Sequence, residues 1–289
     1  MAEPGAPDLG AFDRDTAVEL REVAGATQRF DAVVADGWRA GRGPHGGYLA
    51  AMLLRALTSA VADPHRAPRS LTIHYARAPG PGPVSIAVVL ERAGRSLSTL
   101  SARMEQHGRL IALALAAFSV PWSGPEISDL AMPQVAAPDP VRKLRSLPTH
   151  GAPSFAQHIT FQPRLGGMPF TGATQPMEIG GWVSLAEARP LDALSIALFA
   201  DALIPAPFMR VSEPNAAPTI DLTVHFRAPL PRAADPDPDP DPEEMCLLLI
   251  RGTLISEGFF EEDGTIWASD GTVLAQSRQL ALLLPFAGE

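Results

Sequence analysis

Asp201 is the residue whose surroundings ask for an explanation. It lies in LDALSIALFADALIPAPF, where Leu191, Leu194, Ile196, Leu198, Phe199, Leu203 and Ile204 leave no stripe for water. This pattern predicts a helix over 191–204, wrapped by other structure on most sides. The residues three and four positions away are Ala197, Leu198, Ile204 and Pro205, so no cation on the same helix pairs with the carboxylate. A carboxylate taken out of water unpartnered costs on the order of several kcal/mol. Another part of the fold must hydrogen-bond it, or it does chemistry. Gln279 raises the same question more mildly: it adjoins Leu280 and the run Leu282–Leu284, so its amide needs a buried partner. His45-Gly46-Gly47 opens a second helix, apolar nearly all round through Tyr48, Leu49, Met52, Leu53, Leu54 and Leu57. A helix start carries N–H groups with no partner on the helix, and glycine lets an oxygen approach them closely. Glycine there equally permits close packing. A carboxylate and neutral hydrogen-bonding groups can hold a water for attack on an activated carbon.

Several other chemistries find no support. G-x-S-x-G is absent, so a serine-hydrolase elbow is not encoded. Cys246, the single cysteine, lies in the apolar run MCLLLI and reads as core. His74 and His225 occupy equivalent strand positions with no second ligand at useful spacing, which favours packing over metal binding. The run DPDPDPDPEE from Asp235 reads as an extended, solvated loop. A net charge of -9 argues against nucleic acid as a partner. One cysteine excludes an internal disulfide and fits a reducing compartment. MAEPGAPDLG has an acid and prolines where a signal peptide needs a basic region. The run LIALALAAF is about half a membrane span. The expectation is a cytoplasmic protein without a membrane partner.

The elements that must position these residues come in two series. Strands are expected at Thr16–Val23 and Ala26–Val34, then the helix from about Gly46, then strands starting near Leu71, Val84, Leu97 and Leu110. Residues 121–153 are dense in proline, glycine and serine and read as a linker with one short helix in VRKLRSL. The order then repeats: strands at Phe155–Leu165 and Met177–Leu185, the helix with Asp201, and four strands in TIDLTVHFRAPLP, MCLLLIRGTLIS, DGTIWAS and TVLAQSRQLALLL. Leu71-Thr72-Ile73-His74-Tyr75 lies over Leu222-Thr223-Val224-His225-Phe226, and Gly108–Ala112 over Gly271–Ala275. An internal duplication follows, with halves at 1–120 and 154–289 joined by 121–153.

One long apolar helix enclosed by a curved antiparallel sheet is the hot-dog unit, and two in one chain make an α+β double hot-dog. HGGYLAAML, FADALIPAPF, PTIDLTVHFRAP and DGTVLAQSRQ, in that order and spacing, resemble the acyl-CoA thioesterases of the bacterial thioesterase II type over nearly the whole chain. In that family an Asp on the second helix, a Thr at the start of the next strand and a Gln on the last strand orient the attacking water. The resemblance carries these roles to Asp201, Thr219 and Gln279, with His45, Gly46 and Gly47 supplying oxyanion and substrate contacts. It implies no cofactor and no metal, an acyl-CoA substrate, and by analogy a homo-oligomer. In the first half the places of Asp201, Thr219 and Gln279 fall on Ala50 or Leu54, Pro68 and Ala116, and the second helix start, Leu191-Asp192-Ala193, lacks glycine. One site per chain is therefore expected, built from both halves. Hot-dog hydratases set a His beside the Asp, and the stretch around Asp201 offers none. Two alternatives stay open: a non-catalytic acyl-CoA-binding protein, and a thioesterase for carrier-protein thioesters met by Arg142, Lys143 and Arg145. Phe199, Phe208, Met209 and Trp182 are the candidate channel residues.

Overall fold

The computed structural model describes residues 10–41, 43–139, 153–172, 174–230 and 245–285. A short helix α1 (Ala11–Asp15) precedes strands β1 (Val18–Ala24) and β2 (Thr27–Val34). Helix α2 (Gly46–Val61) follows, then β3 (Ala67–Tyr75), β4 (Gly82–Ala93), β5 (Leu97–Gln106) and β6 (Arg109–Ser119). The second series is β7 (Ile159–Gly166), β8 (Glu178–Leu185), α3 (Ala193–Phe199), β9 (Thr219–Phe226), β10 (Cys246–Arg251), β11 (Phe259–Trp267) and β12 (Val273–Leu282). The expected order is present in both halves.

The strands form one 13-stranded antiparallel sheet, in which all but the two-residue strand Ile255–Ser256 run in the order β1-β2-β4-β5-β6-β3-β9-β12-β11-β10-β8-β7. Read from either edge, that order is the same for each half. The halves meet where β3 pairs antiparallel with β9. The two segments that align in sequence face each other there, with Thr72 opposite Thr223 and their hydroxyls 3.1 Å apart. That pair marks the pseudo-two-fold axis of the duplication. Period-two alternation sends Phe260, Glu262, Gly264 and Ile266 of β11 inward and leaves Phe259 and Asp263 outside. Ile266 shares one continuous core with α2, α3 and inward residues of other strands such as Phe30, Leu71 and Val224. This is the double hot-dog.

Three expectations need correction. The second helix spans Ala193–Phe199, not 191–204, so Asp201 lies in the turn after it. Ala200 is the C-cap, and Pro205 disfavours helical geometry at Ile204. Trp182 is not in the main core: it clusters with Leu247, Leu249 and Trp267, covered by Met132 and Val135. Residues 132–139, part of the expected linker, pack along the β7–β8 region. Trp182 Nε1 donates to Ala136 O (2.8 Å), and Asp139 N donates to Gln162 Oε1 (2.8 Å). His74 and His225 occupy exposed strand positions and are not packing residues. The helix expected in VRKLRSL, with Arg142, Lys143 and Arg145, and the Asp-Pro run lie outside the described residues. No described helix is long and apolar enough to cross a membrane.

Candidate active site

The start of α2 runs against the end of α3, and glycine is what lets it. A Cβ on Gly47 would stand 2.3 Å from the Leu198 carbonyl oxygen, and one on Gly46 would stand 2.7 Å from Asp201 Oδ2. Gly47 N–H donates to Asp201 Oδ2 at 3.0 Å. The partner that a buried Asp201 requires is therefore the helix start of the other half. The sequence led us to expect free N–H groups there; in the structure Asp201 engages them, and the dipole of α2 favours its negative charge.

His45 caps the same helix. Its Nδ1 accepts from Tyr48 N–H at 3.3 Å, and its Nε2 lies 2.7 Å from the backbone oxygen of Asp201 and 3.6 Å from Oδ2. A His does stand beside Asp201, contrary to the sequence expectation. Its ring is buried and stacked on Phe155, with both nitrogens engaged, so it has no free nitrogen to offer a substrate as a hydratase requires. Burial pushes the His45 imidazole below its ordinary value, outweighing the upward pull of Asp201, and keeps the ring neutral. Burial pushes the Asp201 carboxyl above its ordinary value, opposed by His45 and the Gly46 and Gly47 N–H groups. Tyr75, at the end of β3, donates its hydroxyl to Gly46 O at 2.9 Å. Its phenol is raised well above the usual range by burial, with the Asp201 charge adding to it.

Thr219 and Gln279 form a second group. Thr219 opens β9, and a bulge between Thr219 and Asp221 resets the register against β12. Its hydroxyl donates to Gln279 Oε1 at 3.2 Å. The amide nitrogen of Gln279 donates to Oε2 of Glu262, and Oε1 of Glu262 accepts from Ala206 N–H. The buried partner that Gln279 needs is thus Glu262, itself 2% exposed. Burial lifts the Glu262 carboxyl to about 7, opposed by its two hydrogen bonds and reinforced by the charge on Asp201. No hydrogen bond joins Asp201 directly to Thr219 or Gln279; the two groups are connected through Glu262 and the short loop from Asp201 to Ala206. Sequence reasoning missed Glu262, which sits in Glu261-Glu262-Asp263 and looks like a solvated turn. Strict alternation with Phe260 and Ile266 is the signal that would have found it. Tyr75 was missed for want of any local anomaly.

Among the described residues no three His, Cys, Asp or Glu side chains converge as metal ligands would. Residues 34–119 match the family model for the N-terminal domain of acyl-CoA thioesterases, and residues 132–283 match the model for their C-terminal domain. The chain belongs to the acyl-CoA thioesterase family. An uncharacterized protein of Mycobacterium tuberculosis is 24% identical over 280 residues, covering 89% of this chain and 92% of its own. Among solved structures, a hot-dog protein of unknown function from Alicyclobacillus acidocaldarius superposes with a TM-score of 0.80 and 26% identity. It covers 96% of this chain and 100% of that one. The acyl-CoA thioesterase II TesB2 of Mycobacterium marinum shares the fold at a TM-score of 0.71 and 20% identity, covering 96% and 100%.

Proposed function

We propose that this acyl-CoA thioesterase family member hydrolyses acyl-CoA to a carboxylic acid and CoA, using a water oriented by Asp201, Thr219 and Gln279. The observation that carries this reading is a buried carboxylate from one half held against the glycine helix start of the other. In the proposed reaction the thioester carbonyl oxygen takes over the N–H groups at the start of α2. Asp201 then loses the hydrogen bond from Gly47, which strengthens it as a base. It accepts a proton from the water, whose oxygen attacks the carbonyl carbon. The tetrahedral intermediate, its oxyanion facing the α2 dipole, expels the CoA thiolate, and the proton on Asp201 returns to the sulfur. Thr219 and Gln279 orient the water and need not change protonation. His45, held neutral, fixes the Asp201 backbone.

The test is thiol release from a panel of acyl-CoA chain lengths. Asp201→Asn is expected to lower kcat by about 100-fold or more. Wild-type turnover by that variant would sink the assignment. Saturable acyl-CoA binding with no turnover by the wild type would instead identify a binding protein. A rate much greater on carrier-protein thioesters would move the substrate away from free acyl-CoA.

A further inference from the structure

Glu262 is a buried acid that the proposed reaction does not use. It lies on the inner face of β11, directly opposite Gln279 in the β11–β12 register. In the first half the corresponding strands pair Leu100 with Ala116, the place equivalent to Gln279. Both of those are buried and apolar. Pairing of these strands therefore does not require a polar pair, and a buried carboxylate is the costlier choice.

We propose that Glu262 is a positioning residue: its carboxylate fixes which end of the Gln279 amide faces Thr219 and the reacting water, and ties that amide to the loop carrying Asp201. This rests on the hydrolase reading above. An ionised carboxylate has no hydrogen to give, so the amide nitrogen of Gln279 must turn to it. The amide oxygen is then left toward Thr219, whose hydroxyl it accepts, and stays available to a water hydrogen. The other oxygen of Glu262 holds Ala206 N–H, five residues beyond Asp201, so a single side chain sets both the loop and the amide. A protonated Glu262 can donate instead. The amide then turns over and presents NH2 groups where the water needs an acceptor.

The titratable groups acting on Glu262 are Asp201 across the site and Glu261 beside it, both of which oppose its ionisation. The remaining partners, Gln279 and the Ala206 backbone, are neutral. With its carboxyl lifted to about 7 by burial, the turnover of the amide falls in the neutral range.

The experiment uses Glu262→Gln, an isosteric stand-in for the protonated acid, with thiol release from acyl-CoA followed from about pH 5 to 9. The expected result is a kcat lower by about 10- to 100-fold with KM within about threefold. The acid-side inflection of kcat moves to lower pH, because the remaining limb belongs to an Asp201 freed of a like charge. The melting temperature above pH 7 is equal to or higher than that of the wild type. Adding Glu262→Gln to Gln279→Ala changes kcat no further, because glutamine at 262 keeps an acceptor for Ala206 N–H and the rest of the effect runs through the Gln279 amide. A Glu262→Gln protein with wild-type kcat and pH profile, additive effects in the double variant, or a lowered melting temperature with unchanged kcat per folded molecule would overturn the proposal. If the wild type turns over acyl-CoA and Asp201→Asn does not, while Glu262→Gln behaves as wild type, only the Glu262 role fails. If the wild type does not hydrolyse acyl-CoA, the hydrolase reading fails and takes this one with it.

Discussion

The starts of α2 and α3 occupy equivalent places in the element order of the two halves and have opposite fates. At α3 the N-cap is the chain's own Asp192, whose side chain accepts from Leu194 and Ser195 N–H at 3.0 and 2.9 Å. Ser195 closes the reciprocal half of the capping box, and Arg189 binds the same carboxylate at 2.8 Å. That end is satisfied locally, neutralised and closed. At α2 the cap is a histidine, and the carboxylate comes from residue 201 of the other half. Both ends hold an aspartate: Asp192 is paired with Arg189, whereas Asp201 meets His45 and the Gly47 N–H and has its carboxyl raised by burial. The contrast continues inside the sheet, where Leu100 and Ala116 occupy the places that Glu262 and Gln279 hold in the second half. A duplicated fold leaves two equivalent ends, and side-chain identity at a few positions decides which one carries the candidate site.

That contrast can be broken experimentally. The largest effect is expected at Asp201: its replacement by Asn removes most turnover, while Asp192→Ala leaves kcat within about twofold because its helix end is closed. Comparable losses from both would abolish the asymmetry. Next comes the stability profile. Glu262 has a folded value of about 7 against an ordinary 4.5. Between those values the folded chain holds a proton that the unfolded chain has released, so stability falls as pH rises through that window and levels off above it. The difference corresponds to about 3 kcal/mol, and Glu262→Gln should flatten it in urea melts at a series of pH values. Asp192→Ala should cost about 1–2 kcal/mol of unfolding free energy through loss of the cap. Smallest is Thr72→Val on the pseudo-axis, about 1 kcal/mol or less in the same melts, since Thr72 and Thr223 exchange one half-exposed hydrogen bond.

The architecture was legible because its signals are periodic and occur twice. Leu71–Tyr75 and Leu222–Phe226 align in sequence and then pair across the junction, as duplicated edge strands should. The need for a partner at Asp201 and at Gln279 was legible too, since each sits in an apolar run. The identities of those partners were not. Gly47 is 154 positions from Asp201 and Glu262 is 17 from Gln279, and neither contact has a local signature. The end of α3 was overrun because apolar residues continue through Ile204, although the helix stops at Phe199. Glu262 was hidden by charged neighbours that point the other way.

The β3–β9 junction makes the two halves a single hydrogen-bonded sheet within one chain rather than a pair of identical copies. In a symmetric pair every substitution is written twice, so an acid buried at one end would be buried at the other as well, with its ionisation penalty doubled. Fusion lifts that constraint. One half is free to keep leucine and alanine and carry stability, while its sibling holds the unfavourable charges.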